Sequence, residues 1–228
     1  MIDQMLFEQP VDLQKLFEVS RLEGGFLTDN IRKRVWPKIL AINRYNTIDY
    51  RSYLNPKKDF AYIECDIARS LFSYEHLQEW DETKREKRRE SLSEIIKCIL
   101  SKYPKFHYFQ GYHDIVSIFL LILEDDQLTF SMVESVSLYF FSDYMSEDFK
   151  IVSRGMNILM VVLEIADPEV HAHISGAGVE AYFCTSWMLT WFSHDMRQIE
   201  EVARVFDAML CSHPLFIIYL CAAVSVYS

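Results

Sequence analysis

Two short stretches hold side chains that could do chemistry. Residues 62–72 read YIECDIARSLF and residues 106–114 read FHYFQGYHD. In the first, Asp66 and Arg69 stand three apart, so a helix would set them on one face as an ion pair. Spacing alone favours a plain surface pair, worth little to stability. The sharper alternative is an arginine aimed outward and held by its neighbour. In the second, aromatic residues enclose Gln110 and Gly111 just ahead of a strongly apolar run. A glutamine neither takes up a proton near neutrality nor attacks a carbonyl, so any chemistry at Gln110 works by orienting a group through its amide.

Other candidates carry less. His113 and Asp114 are adjacent, and neighbours on a helix diverge, which makes them a poor acid–base pair in isolation. His171 and His173 could supply two metal ligands, but no third ligand stands at a telling distance. Cys65, Cys98, Cys184, Cys211 and Cys221 are widely spaced without a C-x-x-C pair, which fits reduced, mostly buried thiols in the cytosol better than disulfides or zinc. No G-x-S-x-G, G-x-x-x-x-G-K-[ST] or G-x-G-x-x-G pattern occurs, so the chain shows no nucleotide site of its own.

The elements that must position these residues read as helices. Six glycines and six prolines punctuate 228 residues, and no Asn-Gly or Asp-Gly hairpin signal appears. A lead-in over residues 1–21 has one amphipathic turn near Leu13–Val19 and breaks at Gly24-Gly25. Thr28 or Asp29 caps a helix through Ile31, Val35 and Ile39-Leu40, which Pro37 should end or kink. Asn55–Lys58 is a turn, and a helix starts near Tyr62, with Ile63, Ile67 and Phe72 on one stripe. Thr83–Lys102 follows as a helix; then Pro104 and the aromatic cluster form a loop. Phe149–Ile165 carries a good helical stripe, Pro168 and Gly176/Gly178 punctuate, and helical segments lie near 180–193, 198–211 and 214–226. The expected class is all-α, a single multi-helix domain over 22–228.

The bulk numbers exclude some functions. Half the residues are hydrophobic, enough for one sizeable core. A net charge of −10 argues against broad nucleic-acid binding, which needs a basic face. The one basic cluster, KREKRRE at 84–90, alternates with acids and reads as a solvated helix face. The N-terminus has no long apolar segment of the secretory kind. Ile115–Leu123 and Leu215–Tyr227 fall short of the roughly twenty residues a membrane-spanning helix needs, so both read as core helices.

Taken together, the motifs resemble those of TBC-domain Rab GTPase-activating proteins. Ile63-x-x-Asp66-x-x-Arg69 is similar to the family's first finger motif, and Tyr108-x-Gln110, continuing as Gly111, to its second. Arg32-x-x-x-Trp36, WMLTWFS at 187–193 and Arg204-Val205-Phe206-Asp207 resemble its other blocks, in the right order. The form Gln110-Gly111-Tyr112-His113-Asp114, where most members read Gln-Gly-Met-Asn-Asp, looks like the membrane-tailed subgroup acting on Rabs of the ER-to-Golgi step.

The resemblance implies a GTPase-activating protein for a GTP-bound Rab. It implies that Arg69 neutralises charge on the transferred phosphoryl group and that Gln110 orients the attacking water. Asp66, Tyr108 and Gly111 would support the two fingers. Apart from the resemblance, spacing alone would pair Asp207 with Arg204, and Trp187 and Trp191 read as core residues. GTP and Mg²⁺ would belong to the partner; no cofactor or metal of the chain's own is implied. The family's domain usually continues beyond the point matching Tyr227, so a domain shortened at its C-terminal end is expected, cytoplasmic and at the cytosolic face of ER/Golgi membranes in its full-length form. The alternatives are a non-catalytic TBC-like Rab-binding module or an inactive truncated isoform, a helical scaffold, and a hydrolase with its own metal.

Overall fold

The computed structural model describes residues 2–7, 11–45, 49–71, 74, 77, 79–148, 150–178 and 181–227. Phe72, expected on the stripe with Ile63 and Ile67, and Phe149, the expected start of a helix, lie outside the described residues, as does residue 180. Among the described residues there are twelve α-helices and no strand: α1 (Ile2–Phe7), α2 (Leu13–Arg21), α3 (Asp29–Ile39), α4 (Ala61–Arg69), α5 (Glu82–Lys102), α6 (Tyr112–Leu123), α7 (Asp126–Val136), α8 (Lys150–Ala166), α9 (Pro168–Gly176), α10 (Thr185–Thr190), α11 (Ile199–Leu210) and α12 (Phe216–Tyr227). The all-α expectation therefore holds.

Local sequence explains the starts of these helices. Asp12, Asp81, Asp125 and Asp167 each accept a backbone N–H at the head of α2, α5, α7 and α9. Caps of this kind contribute about 1 kcal/mol each. Thr28 precedes α3 as expected, though its hydroxyl makes no cap bond. Pro37 sits inside α3, and the helix ends at Ile39.

The apolar run after Gly111 becomes the axis of the molecule. Along α6 every residue except Asp114 and Leu121 is buried. That helix packs against α3, α5, α7, α10 and α11. Rings fill the space around it: Phe119 meets Trp36 edge-on at 5.5 Å and Phe206 at 5.4 Å. Trp191 is buried among Phe140, Phe141 and Phe206, as the core reading of that tryptophan required. Trp187 is only partly buried and stacks on Phe192 at 5.4 Å. An axis packed on five sides fixes the position of whatever stands at its N-terminus. That end carries Gln110.

A second framework is polar. Asp207 of α11 is fully buried and accepts hydrogen bonds from the Phe26 backbone N–H (3.0 Å), Arg32 Nη2 (3.0 Å) and Trp36 Nε1 (2.8 Å), with Arg32 Nε also in range. The expected pairing of Asp207 with Arg204 is therefore wrong: Arg204 Nη2 donates to the Leu22 carbonyl at 2.7 Å instead. A side chain at Gly25 would collide with the Asp207 carboxylate, its Cβ coming within 2.6 Å of Oδ2, so only glycine lets the chain pass there. Burial pushes the Asp207 carboxyl above its ordinary value, while Arg32, Phe26 and Trp36 stabilise the charged form.

Three further readings are corrected. The KREKRRE cluster is not wholly solvated: Arg85 and Arg89 are buried, with Arg85 Nη2 on the Leu77 carbonyl at 2.9 Å and Arg89 on Glu82 and Glu86. Pro168 opens a helix rather than interrupting one, since its missing N–H is an orphan at the first helical position and Asp167 caps the next two. The segment after α6, left unassigned from sequence, forms α7 and a π-helical turn at Ser137–Phe141.

Candidate functional site

Helix α4 buries Ile63 and Ile67 and ends at Arg69. The Arg69 side chain is 74% exposed, yet its base is held. Nη2 donates to Asp66 Oδ1 at 2.9 Å and Nε donates to the Cys65 carbonyl at 3.1 Å. With that much exposure the ion pair contributes no more than about 1 kcal/mol to stability. Its consequence is geometric: it limits the directions in which the guanidinium can point.

Asp66 is unlike its arginine, for it is nearly buried. Its second oxygen, Oδ2, accepts the Tyr108 hydroxyl at 2.8 Å. That bond ties α4 to the loop ahead of α6. The Tyr62 ring meets the Tyr108 ring edge-on at 5.9 Å. Burial first, then the adjacent Asp66 carboxylate, push the Tyr108 phenol far above its ordinary value. Tyr108 therefore stays a neutral donor at any working pH.

Gln110 is exposed and sits in the turn before α6. Gly111 heads that helix at φ 103°, ψ −14°. Only glycine takes that backbone without strain. The next residue, Tyr112, is fully buried, and its hydroxyl meets Ser137 Oγ at 2.6 Å. Since the Ser137 hydroxyl donates to the Val133 carbonyl, Tyr112 is the donor in that contact. Tyr112 thus pins the turn to the core while Gln110 faces out.

Arg69 and Gln110 open on one cleft of about 530 Å³, which Asp66, His113, Asp114 and Thr190 help to line. The structure thus brings Arg69, Gln110, Asp66 and Gly111 to one place and hangs Tyr108 behind them. His113 and Asp114, set aside in the sequence as diverging neighbours, also belong here. His113 Nδ1 meets the Tyr108 hydroxyl at 2.8 Å, and its Nε2 lies 3.3 Å from Asp114 Oδ1. Asp114 Oδ2 meets His194 Nδ1 at 2.9 Å. Burial lowers the His113 pKa, against Asp114 and Asp66, which raise it. His194 had no motif to mark it, since it reaches the site through a turn after α10. Among the described residues, no group of three or more His, Cys, Asp or Glu side chains is placed to hold a metal ion.

Residues 29–227 match the Rab-GTPase-TBC domain. The chain belongs to that family. "TBC1 domain family member 20" of Bos taurus and of Homo sapiens are each 36% identical to it over 228 residues, covering 99% of this chain and 56% of the relative. "GTPase-activating protein gyp10" of Schizosaccharomyces pombe is 28% identical over 216 residues, covering 93% of this chain and 57% of the relative. The chain thus spans a little over half the length of these relatives. Among its described residues no helix is long and apolar enough to cross a membrane.

Proposed function

We propose that this TBC domain is a GTPase activator for a GTP-bound Rab-family partner, supplying Arg69 and Gln110 in trans. The observation that carries the reading is the shared cleft: an exposed guanidinium anchored at its base and an exposed amide at the head of a rigid helix. Phosphoryl transfer from GTP to water needs a placed nucleophile and stabilisation of charge on the equatorial oxygens. Arg69 provides the second. Its planar, positively charged guanidinium donates to phosphate oxygens in a fork. Gln110 provides the first, because its amide can accept from and donate to one water at once. No proton has to leave for Gln110, which is why an amide suits the position. GTP and Mg²⁺ are held by the partner. In the full-length protein we place the domain at the cytosolic face of ER and Golgi membranes, on the strength of the Gln110–Asp114 signature.

Entry into a partner requires the guanidinium to be reachable while Asp66 holds it, and a side chain 74% exposed meets that condition. An arginine supplied in trans typically accelerates hydrolysis by ~10³ to 10⁵. Single-turnover GTP hydrolysis by a panel of Rab GTPases, with the wild-type chain, Arg69→Ala and Gln110→Ala, tests the proposal. Stimulation of one or a few Rabs, lost in either folded variant, is the expected result. No stimulation of any Rab by the folded wild-type chain would leave a binding module without catalytic action.

A further inference from the structure

Five side chains form a continuous chain beneath the cleft: Arg69, Asp66, Tyr108, His113 and Asp114, with His194 closing its far end. The two ends belong to different elements, α4 and the turn after α10. The middle belongs to the loop and first turn that also carry Gln110. His113 stands at the junction, buried, with one ring nitrogen toward each half. The direction of the bonds follows from the available protons. Tyr108 has one hydroxyl proton and gives it to Asp66 Oδ2. Its oxygen must then accept from His113 Nδ1–H. That tautomer is assigned from the network. Protonation of the ring adds a proton at Nε2, toward Asp114, and leaves the Nδ1–H donor in place.

We infer that His113 is a positioning residue for the arginine: through Nδ1–H it fixes the Tyr108 hydroxyl, which fixes Asp66, which aims Arg69. This inference rests on the GTPase-activator reading for its kinetic consequence only. Without the Nδ1–H donor, the Tyr108 hydroxyl is held only by its own bond to Asp66, and its oxygen is no longer fixed from the other side. The arginine then samples more directions before it meets a phosphoryl group. Misplacement of a group used in the transition state lowers kcat rather than partner affinity.

The side-chain amides separate the two arms of the ring. In His113→Asn the amide nitrogen takes the position of Nδ1, so the donor to Tyr108 survives and the contact with Asp114 is lost. In His113→Gln the amide reaches toward Asp114 and the Tyr108 arm is lost. His113→Leu keeps the bulk and removes both. The expected kinetic result is a fall in kcat of roughly five- to tenfold for His113→Leu and His113→Gln, the worth of one directed hydrogen bond. KM for the GTP-bound Rab stays near wild type, and His113→Asn restores kcat. In a Tyr108→Phe background, His113→Leu has no further effect, because the pathway runs through that hydroxyl.

A second readout needs no partner. The Arg69 Nε–H proton, bonded to the Cys65 carbonyl, reports arginine placement by NMR in the free chain. Its resonance should move in His113→Leu and stay in His113→Asn. Should the wild-type chain stimulate no Rab, the activator reading falls and the resonance alone decides this inference. An unmoved resonance in His113→Leu, an unchanged kcat, or additive effects with Tyr108→Phe would each overturn it.

Discussion

Replacing Gly111 with alanine perturbs the site at its narrowest point. Two costs are legible in the structure. The first is backbone: at φ 103° a residue with a Cβ is strained, by about 1–3 kcal/mol. The second is steric: the new Cβ would lie 2.7 Å from Thr190 Cγ2. Thr190 cannot swing aside easily, because it is buried, β-branched, and its hydroxyl donates to the Ser186 carbonyl at 2.8 Å. Relief must come from movement of the turn that carries Gln110 or of the end of α10. We expect Gly111→Ala to destabilise the fold by roughly 2–6 kcal/mol, combining that strain with an overpacking cost of about 1–3 kcal/mol.

Thr190→Ser separates the two costs. It deletes Cγ2 and keeps the hydroxyl. Alone it should cost about 1 kcal/mol for a buried methyl. In the Gly111→Ala background it should instead recover stability, leaving the φ strain behind. Urea denaturation of the four proteins measures the cycle, and stimulated hydrolysis measures the displacement of Gln110. A Gly111→Ala protein within about 0.5 kcal/mol of wild type would refute the reasoning, that being the usual effect of an unconstrained surface change. Additivity across the cycle would refute the steric half of it.

Three other outcomes are expected. Asp207→Asn removes the buried counter-charge of Arg32, leaving only the half-exposed Asp29 on its Nη1, and should destabilise by about 3–5 kcal/mol in denaturant titration, with the site residues still in place; a loss under about 1 kcal/mol would contradict the cluster's role. Arg69→Lys should leave stability unchanged and fail to restore stimulated hydrolysis, since an ammonium cannot reproduce the guanidinium fork; retention of most activity would argue against the finger. Burial holds the His113 pKa below its ordinary 6.5, so the unfolded chain binds more protons than the folded one near and below that pH. Its contribution to stability is therefore whole above 6.5 and is lost as pH falls below it. Urea titrations at about pH 7 and about pH 5 should show this loss, and His113→Asn should shrink it; an undiminished loss in that variant would assign it to other groups.

The helices of this chain were legible where apolar residues recur with helical period: α5, α11 and α12 start and stop within a residue or two of the sequence pattern, and α4 starts one residue from it. Helix α7 was not, because its face mixes Thr129, Ser131 and Glu134 among apolar residues and its continuation is π-helical. Pro168 misled because a proline at a helix start and one at a helix end look alike unless the preceding aspartate is read as a cap. Arg69, Gln110, Asp66 and Tyr108 were found by their motifs, and the Asp66–Arg69 bond by spacing. The Asp66–Tyr108 bond and the His113–Asp114–His194 run were invisible, since they depend on how α4, α6 and the turn after α10 come together. The 3.3 Å approach of His113 Nε2 to Asp114 Oδ1 is a contact that the rule of diverging helix neighbours did not foresee. The Asp207 cluster was missed for the same reason in reverse: Arg204 was nearer in sequence, but Arg32 and Trp36 are nearer in space.

The central claim is that this chain brings both the arginine and the water-orienting glutamine to a partner's GTP. A Rab whose own catalytic glutamine is replaced by leucine tests it most directly. Single-turnover hydrolysis by that Rab is followed with the wild-type chain and with Gln110→Ala. The account predicts that the wild-type chain still stimulates hydrolysis and that Gln110→Ala does not. Loss of stimulation with the wild-type chain, from a Rab that responds to it when its glutamine is intact, would contradict the account.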